Sequence, residues 1–305
     1  MKVAVLSGGV GGARFVQGVV ATGEDVSVIG NVGDDVEVLG LHVSPDLDSI
    51  MYALAGLNDE ERGWGRAGES WRVLDTVGTL GGETWFRLGD LDLGVHLVRT
   101  QSLRAGEPLS RVTARLATSL GIETPLLPAT DDRLRTWIST AAGELPFQEW
   151  FVARGHRDEV DGVRFEGAEH AAAGPGVLDA LEHADLLLLA PSNPYVSLGP
   201  ILGVRAIRDA VAARTVPCVA VSPLIGGRAV KGPADRMLAR LAGGTSPRHL
   251  ASCYPGLIDA VVIDEADAAD LEGLGDVRPI VASTLMVDGE ARRRLAEAAL
   301  GAVPA

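Results

Sequence analysis

Val3-Ala-Val-Leu-Ser-Gly-Gly-Val-Gly-Gly-Ala-Arg-Phe15 is the stretch on which the reading of the chain turns. An apolar run ends at Leu6, and Gly8, Gly9, Gly11 and Gly12 follow. Phe15, Val16, Val19 and Val20 then recur at near-helical spacing. The pattern predicts strand, Gly-rich turn, helix. Glycines let backbone N–H groups approach a ligand closely, and a helix N-terminus favours negative charge. The stretch therefore suits a phosphate; the competing reading is a tight turn that packs a helix on a sheet. No Gly-Lys-Ser/Thr follows, so this is not a P-loop. The dinucleotide fingerprint also fits badly. Arg14 stands where its third glycine belongs, and the second strand ends Val28-Ile29-Gly30-Asn31 without an acidic residue for a ribose. A nicotinamide-dependent oxidoreductase is disfavoured on both counts.

The 305 residues allow one large domain, or a domain with an insertion, and 47% apolar content is enough for a full core. No apolar run approaches the roughly 18 residues of a membrane span. Met1 leads straight into a strand, so no signal peptide is expected and a cytoplasmic setting is implied. Cys218 and Cys253 belong to no Cys-x-x-Cys pair and read as buried free thiols. A net charge of −14 repels nucleic acid and anionic membranes, so neither is expected as a partner. It would also repel a phosphorylated substrate. Local cations must then help: Arg14, Arg87, Lys231, or a metal ion held by surplus carboxylates. Lys231 is conspicuous, because Lys2 is the only other lysine. The six histidines are scattered, and neither His-Glu-x-x-His nor Gly-x-Ser-x-Gly occurs. What remains is phosphate-holding backbone, aspartates and a few cations, an inventory that suits phosphoryl transfer.

Along the chain, apolar strand, special loop and helix recur after Leu6, Ile29, Ala190 and Val221. Such alternation implies a parallel sheet with right-handed crossovers, and the loops then gather on one edge. Asn31-Val-Gly-Asp34-Asp35 is one of these loops; its acids read equally as turn formers or as ligands of a hydroxyl or cation. Val36–Val43 reads as extended. Pro45-Asp46-Leu-Asp48 starts a helix, and its carboxylates are caps or oxygen ligands for magnesium. Pro191–Ser197, with Asn193, and Ser222–Pro233, with Gly226 and Lys231, are the other two loops. Residues 58–145 hold four of the five tryptophans and read as a mostly helical insertion. Helices are expected there at Leu109–Leu120 and Asp131–Ala142, with a loop at 121–128 between them. Trp85-Phe86-Arg87 followed by Asp90 and Asp92 suits a flat heteroaromatic ligand or a small satellite core. Gln148–Phe165 reads as a hairpin. The fold class expected is α/β: a doubly wound, mostly parallel, Rossmann-like sheet from 1–57 and 146–305, with a helical subdomain inserted.

Together, Gly8-Gly-Val-Gly-Gly-Ala-Arg14, Asn31–Asp35, Pro45–Asp48, Asp75–Gly82, Gly89–Asp92, Pro191–Pro194 and Ser222–Gly227 with Lys231-Gly-Pro233 resemble the 2-phospho-L-lactate transferases of coenzyme F-420 biosynthesis. The resemblance runs from Met1 to about Val281. It implies a magnesium-dependent enzyme, expected as a homodimer. The family moves a phospholactyl or phosphoenolpyruvyl group from a guanosine diphosphate conjugate to the ribityl hydroxyl of 7,8-didemethyl-8-hydroxy-5-deazariboflavin, and GMP leaves. By position, Asp48 and Arg87 match the deazaflavin-contacting residues, with Asp48 and Asp46 as catalytic or metal-holding groups and Asp34 and Asp35 as rivals. Gly8, Gly9, Gly11, Gly12, Arg14, Asn31, Asn193, Ser222, Gly226 and Lys231 are the expected nucleotide and phosphate ligands. A related family, the gluconeogenesis-factor regulators that bind nucleotide sugars, shares the Gly-rich start; Pro45–Asp48 and the Trp-rich insertion with Arg87 argue against it. Enolpyruvyl is the donor expected for an Ala/Arg-rich chain of this kind.

Overall fold

The computed structural model describes residues 1–302. Seven strands form the central sheet: β1 (Lys2–Ser7), β2 (Asp25–Gly30), β3 (Leu126–Pro128), β4 (Leu186–Leu189), β5 (Cys218–Val221), β6 (Ala260–Asp264) and β7 (Arg278–Ala282). Their order is β7-β6-β5-β4-β1-β2-β3 and every pairing is parallel. Helices cover both sides, the Rossmann-like α/β arrangement expected. Burial on both faces explains why β4 reads as an unbroken run of leucines, all fully buried.

Register decides where the loops emerge. Leu6 of β1 lies beside Ile29 of β2 and Leu189 of β4. The three strands therefore end level, and the segments after Ser7, Gly30 and Leu189 leave the same edge of the sheet. Helix α1 (Gly9–Val20) follows β1, and α2 (Pro45–Leu54) follows a short hairpin. That hairpin pairs Val36–Val38 with Leu41–Val43, and Leu39 and Gly40 turn it with positive φ. The extended stretch is thus two strands, not one.

Residues 58–145 bring in α3 (Arg72–Thr79), α4 (Asp90–Arg104) and α5 (Leu109–Ser119). Two expectations in this region need correction. The 121–128 loop contains β3, an edge strand of the central sheet. The helix expected over Asp131–Ala142 is instead the strand Arg135–Thr140, paired antiparallel with Gly143–Pro146 and Gly162–Glu166. Thr136 and Ile138 are buried while Arg135 and Trp137 are not, so the true period is two. Gln148–Phe165 is not a hairpin; Glu149–Ala153 is a π-helical turn. The inserted segment is therefore helical as far as Ser119 and then rejoins the sheet, before the boundary expected at 145. Between β4 and β5 the chain forms two short helices, Leu198–Gly203 and Arg205–Ala212.

Helix α1 is clamped between α2 and the C-terminal helix Gly289–Leu300. Gly18 makes this possible: a Cβ there would lie 2.2 Å from the Arg292 carbonyl oxygen. Alanine favours a helix over glycine by about 1 kcal/mol, but pushing two packed helices apart costs about 1–3 kcal/mol. Gly18→Ala is expected to lower stability in urea unfolding; a stabilised variant would show that the helices part freely.

Candidate functional site

Strands β1 and β4 are neighbours whose crossovers run in opposite directions, so a crevice opens beyond their C-terminal ends. The Gly-rich turn lies in it. A Cβ on Gly8 would meet Asp46 Oδ2 at 2.5 Å and Ser197 Cβ at 2.9 Å. One on Gly11 would meet the Pro191 carbonyl oxygen at 2.8 Å, and one on Gly12 the Ser7 and Ser192 hydroxyls at 2.5 Å each. These three glycines let other loops close on the turn. Gly9 differs: its φ is +68°, and nothing comes nearer to its Cβ position than the Ser197 hydroxyl at 3.6 Å.

Asn31, fully buried, ties the crevice together. Its Nδ2 donates to Asp46 Oδ2 at 2.9 Å, to Asp34 Oδ1 at 3.2 Å and to the Val196 carbonyl at 3.3 Å. Its Oδ1 accepts from the Gly33 N–H at 2.8 Å. Asp34, Asp35 and Asp46 are all buried. Among the described residues, neither Asp34 nor Asp46 has a side-chain cation within ion-pair distance. Burial, with repulsion from Asp46 and Asp35, holds the Asp34 carboxyl well above its usual range. Burial also pushes Asp46 up to about 6, against hydrogen bonds from Asn31 and the Gly9 N–H. Asp35 accepts from the Ser44 hydroxyl through Oδ2 and faces His42 Nε2, each at 2.9 Å; its Oδ1 is buried without a partner.

This donor set fits magnesium: hard carboxylate oxygens, buried, in excess of cations, one lacking a partner. No three His, Cys, Asp or Glu side chains among the described residues form a ready-made metal cluster. Magnesium takes one or two protein carboxylates and completes its shell with water and substrate phosphate, so Asp34 and Asp46 are the residues that would hold it.

Asp48 is placed differently. Two residues along a helix turn by about 200°, so Asp46 faces Asn31 while Asp48 faces α4. There Arg99, fully buried, holds both its oxygens: Nη1 donates to Oδ2 at 3.0 Å and Nη2 to Oδ1. Nη1 also lies 3.2 Å from His96 Nδ1. A guanidinium only donates, so that ring nitrogen accepts and the ring proton sits on Nε2, facing Asp92 Oδ1 at 3.3 Å. The Tyr52 hydroxyl donates to the same oxygen at 2.5 Å. Arg99, His96, Asp92 and Tyr52 were not singled out from the sequence; the His-x-x-Arg spacing on one face of α4 was the available signal.

Arg87 is exposed and lies over the Trp71 ring at 4.4 Å. Arg62 covers Trp71 and Trp64, at 5.1 and 4.9 Å. Arg14 reaches Glu60 at 3.3 Å. Towards β5 the rim residues bind within the chain. Asn193 Oδ1 accepts from the Tyr195 N–H at 2.9 Å, the Ser222 hydroxyl from the Leu224 N–H at 3.1 Å, and the Gly226 N–H donates to Asp267 at 3.0 Å. The structure thus brings Gly8, Gly9, Asn31, Asp34 and Asp46 into one corner, and sets Asp48, Arg87 and the β5-side residues apart from it.

Residues 3–296 match the family described as 2-phospho-L-lactate transferase CofD. The chain is 41% identical over 310 residues to the phosphoenolpyruvate transferase of Streptomyces griseus, covering 98% of each. It is 42% identical to that of Thermobifida fusca, covering 98% of this chain and 97% of that one. For Mycolicibacterium smegmatis the identity is 39%, again over 98% of each. In shape it is similar to protein BH3568 of Bacillus halodurans, with a TM-score of 0.67 at 17% identity over 98% of this chain and 99% of that one. A second structure of that same protein, described as a UPF0052 family member, gives 0.64 at 18% over 98% of each. That likeness shows a shared fold. Among the described residues no helix is long and apolar enough to cross a membrane.

Two substitutions test the corner and its neighbour. A carboxyl whose folded pKa is raised binds its proton more tightly when folded, so stability falls as pH rises from about 4 through 6. Asp46→Asn keeps an acceptor and removes the charge. In chelator it should be more stable than the parent at pH 7.5, by roughly 1–3 kcal/mol, with the gap closing near pH 4; a gap independent of pH in urea titrations would contradict a buried charge. Asp48→Ala should instead cost roughly 3–5 kcal/mol, because Arg99 stays buried and unpaired; a melting temperature equal to the parent's would count against that pairing.

Proposed function

Because the chain belongs to the 2-phospho-L-lactate transferase CofD family, we propose that it transfers a phosphoenolpyruvyl group from a guanosine diphosphate conjugate to the ribityl hydroxyl of 7,8-didemethyl-8-hydroxy-5-deazariboflavin, releasing GMP, in coenzyme F-420 biosynthesis. The observation that carries this reading is the corner at the end of β1. A helix N-terminus, the Gly9 backbone and two buried carboxylates meet there, where a diphosphate and a cation would be held together. The relatives named phosphoenolpyruvate transferase, at about 41% identity, support the enolpyruvyl donor over the phospholactyl one.

The hydroxyl oxygen forms a bond to the phosphorus that carries the enolpyruvyl ester. The bond from that phosphorus to the GMP oxygen breaks, and the hydroxyl proton is released. Attack on phosphorus is direct, with no enzyme–substrate covalent bond; Cys218, buried in β5 with its thiol pushed up to about 12, is no nucleophile. Magnesium held by Asp34 and Asp46 would supply charge neutralisation at the phosphoryl oxygens. Asn31 orients both carboxylates, and its link to the Val196 carbonyl fixes the β4 loop against them. Arg87, its guanidinium carbon 4.4 Å from the Trp71 ring centre, offers a cation to the deazaflavin ring. Asp48, held rigid by Arg99, is an acceptor for the acceptor substrate's polar groups on the insertion side. Asn193 and the Ser222–Gly227 turn flank the guanosine side.

The test is direct. With magnesium, the deazaflavin and each donor in turn, product mass should report the enolpyruvyl adduct, with one GMP released per product. Chelation should abolish turnover, and Asp46→Asn should lower kcat by about 100-fold or more. Failure of both donors would overturn the reading; preference for the lactyl donor would correct only the donor.

A further inference from the structure

Lys231 sits on the loop that leaves β5, yet its ammonium lies against the inserted segment. A Cβ on Gly63 would meet Lys231 Nζ at 1.9 Å, and an Arg14 guanidinium nitrogen lies 4.0 Å from the same point. Two cations from separate elements are therefore neighbours. Their counter-charge is thin. Glu60 pairs with Arg14 at 3.3 Å but with Arg292 at 2.6 Å. Among the described residues no carboxylate lies within ion-pair distance of Lys231. Asp59, nearby, is engaged by Arg62. Lys231 is exposed and Arg14 half-buried, so in a chain of net charge −14 with two lysines in all the pair stands open to an anion from outside.

A pocket lies beside the pair, between α1, α2 and the loop around Gly63, walled by Val10, Ala13, Ser49, Asn58, Trp64 and Asp59, the last held by Arg62. Its position along the crevice is informative. The Asn193 and Ser222 turns lie on the β4–β5 side. The pocket lies on the other side, where Trp64 leads through Arg62 to Trp71 and on to Arg87. A group handed from nucleotide to acceptor has to stand between these two sides.

We propose that Arg14 and Lys231 together bind the transferred half of the donor, its phosphate and the carboxylate of its enolpyruvyl group, and not the departing GMP. The assignment rests on the function proposed above. It gives the two cations two anionic groups and leaves the nucleoside to the opposite loops. Lys231, reaching from the β5 loop to Gly63, also joins the two walls of the crevice around that group.

GDP and GMP separate the possibilities, because the β-phosphate of GDP stands in for the transferred phosphate and GMP lacks it. By calorimetric titration, Lys231→Ala should weaken GDP about tenfold or more and leave GMP unchanged, and Lys231→Arg should recover most of the loss. Arg14→Gln should act in the same direction, with thermal melts confirming that it folds. An equal loss for GMP and GDP would assign the pair to the nucleotide and overturn the proposal, as would no loss for either. Failure of the parent protein to bind GDP at all would remove the function proposed above along with it.

Discussion

Two buried carboxylates share one amide donor at the C-terminal edge of the sheet, and the loops around them depend on it. Asp34 and Asp46 repel each other in a site from which water is removed, and Asn31 is the side chain that donates to both. The consequences spread outward. Asp46 can reach Asn31 only because residue 8 has no Cβ. Its carboxylate then takes a hydrogen bond from the Gly9 N–H, at the positive end of α1. Asn31 also grips Val196, which brings the β4 loop over the same corner. One polar hub thus connects the segments after β1, β2 and β4 with the start of α2. Such an arrangement is costly in a free protein and well suited to a cation and a phosphate.

A second buried charge pair does a different task. Arg99 and Asp48 join α4, which belongs to the inserted segment, to the first turn of α2, which belongs to the core. His96, Asp92 and Tyr52 extend the chain of polar contacts back to α2. A buried ion pair adds little net stability against an apolar replacement, but breaking one partner is expensive. The pair therefore fixes the geometry of the insertion. The cation–aromatic cluster of Arg62, Trp64, Trp71 and Arg87 then lies at a set position beside the crevice.

How much of this could be read beforehand varied with the element. The β1–α1 unit, β4 and β5 were legible because apolar runs stop abruptly at glycine, proline or serine. Strand β3 was not, since three residues ending in proline leave no period to detect. Arg135–Thr140 looked helical because polar residues at 135, 139 and 140 blur its alternation, and only pairing with Gly162–Glu166 settles it. Asp34 and Asp46 could be picked out as acids in special loops. That they meet through Asn31 while Asp48 turns away to Arg99 could not, because Arg99 lies 51 positions further along the chain.

A parallel α/β sheet with its loops on one edge is written into the residue pattern, because hydrophobic runs and glycine turns act locally and repeat. It also narrowed the chemistry to phosphate, carboxylates and scarce cations. Which carboxylates share a corner, which one is paired off, and that Lys231 approaches Arg14 across Gly63 emerge from the folded arrangement alone. Those outcomes depend on strand register and helix phase, which bring together groups far apart in the chain and turn neighbours such as Asp46 and Asp48 to opposite sides.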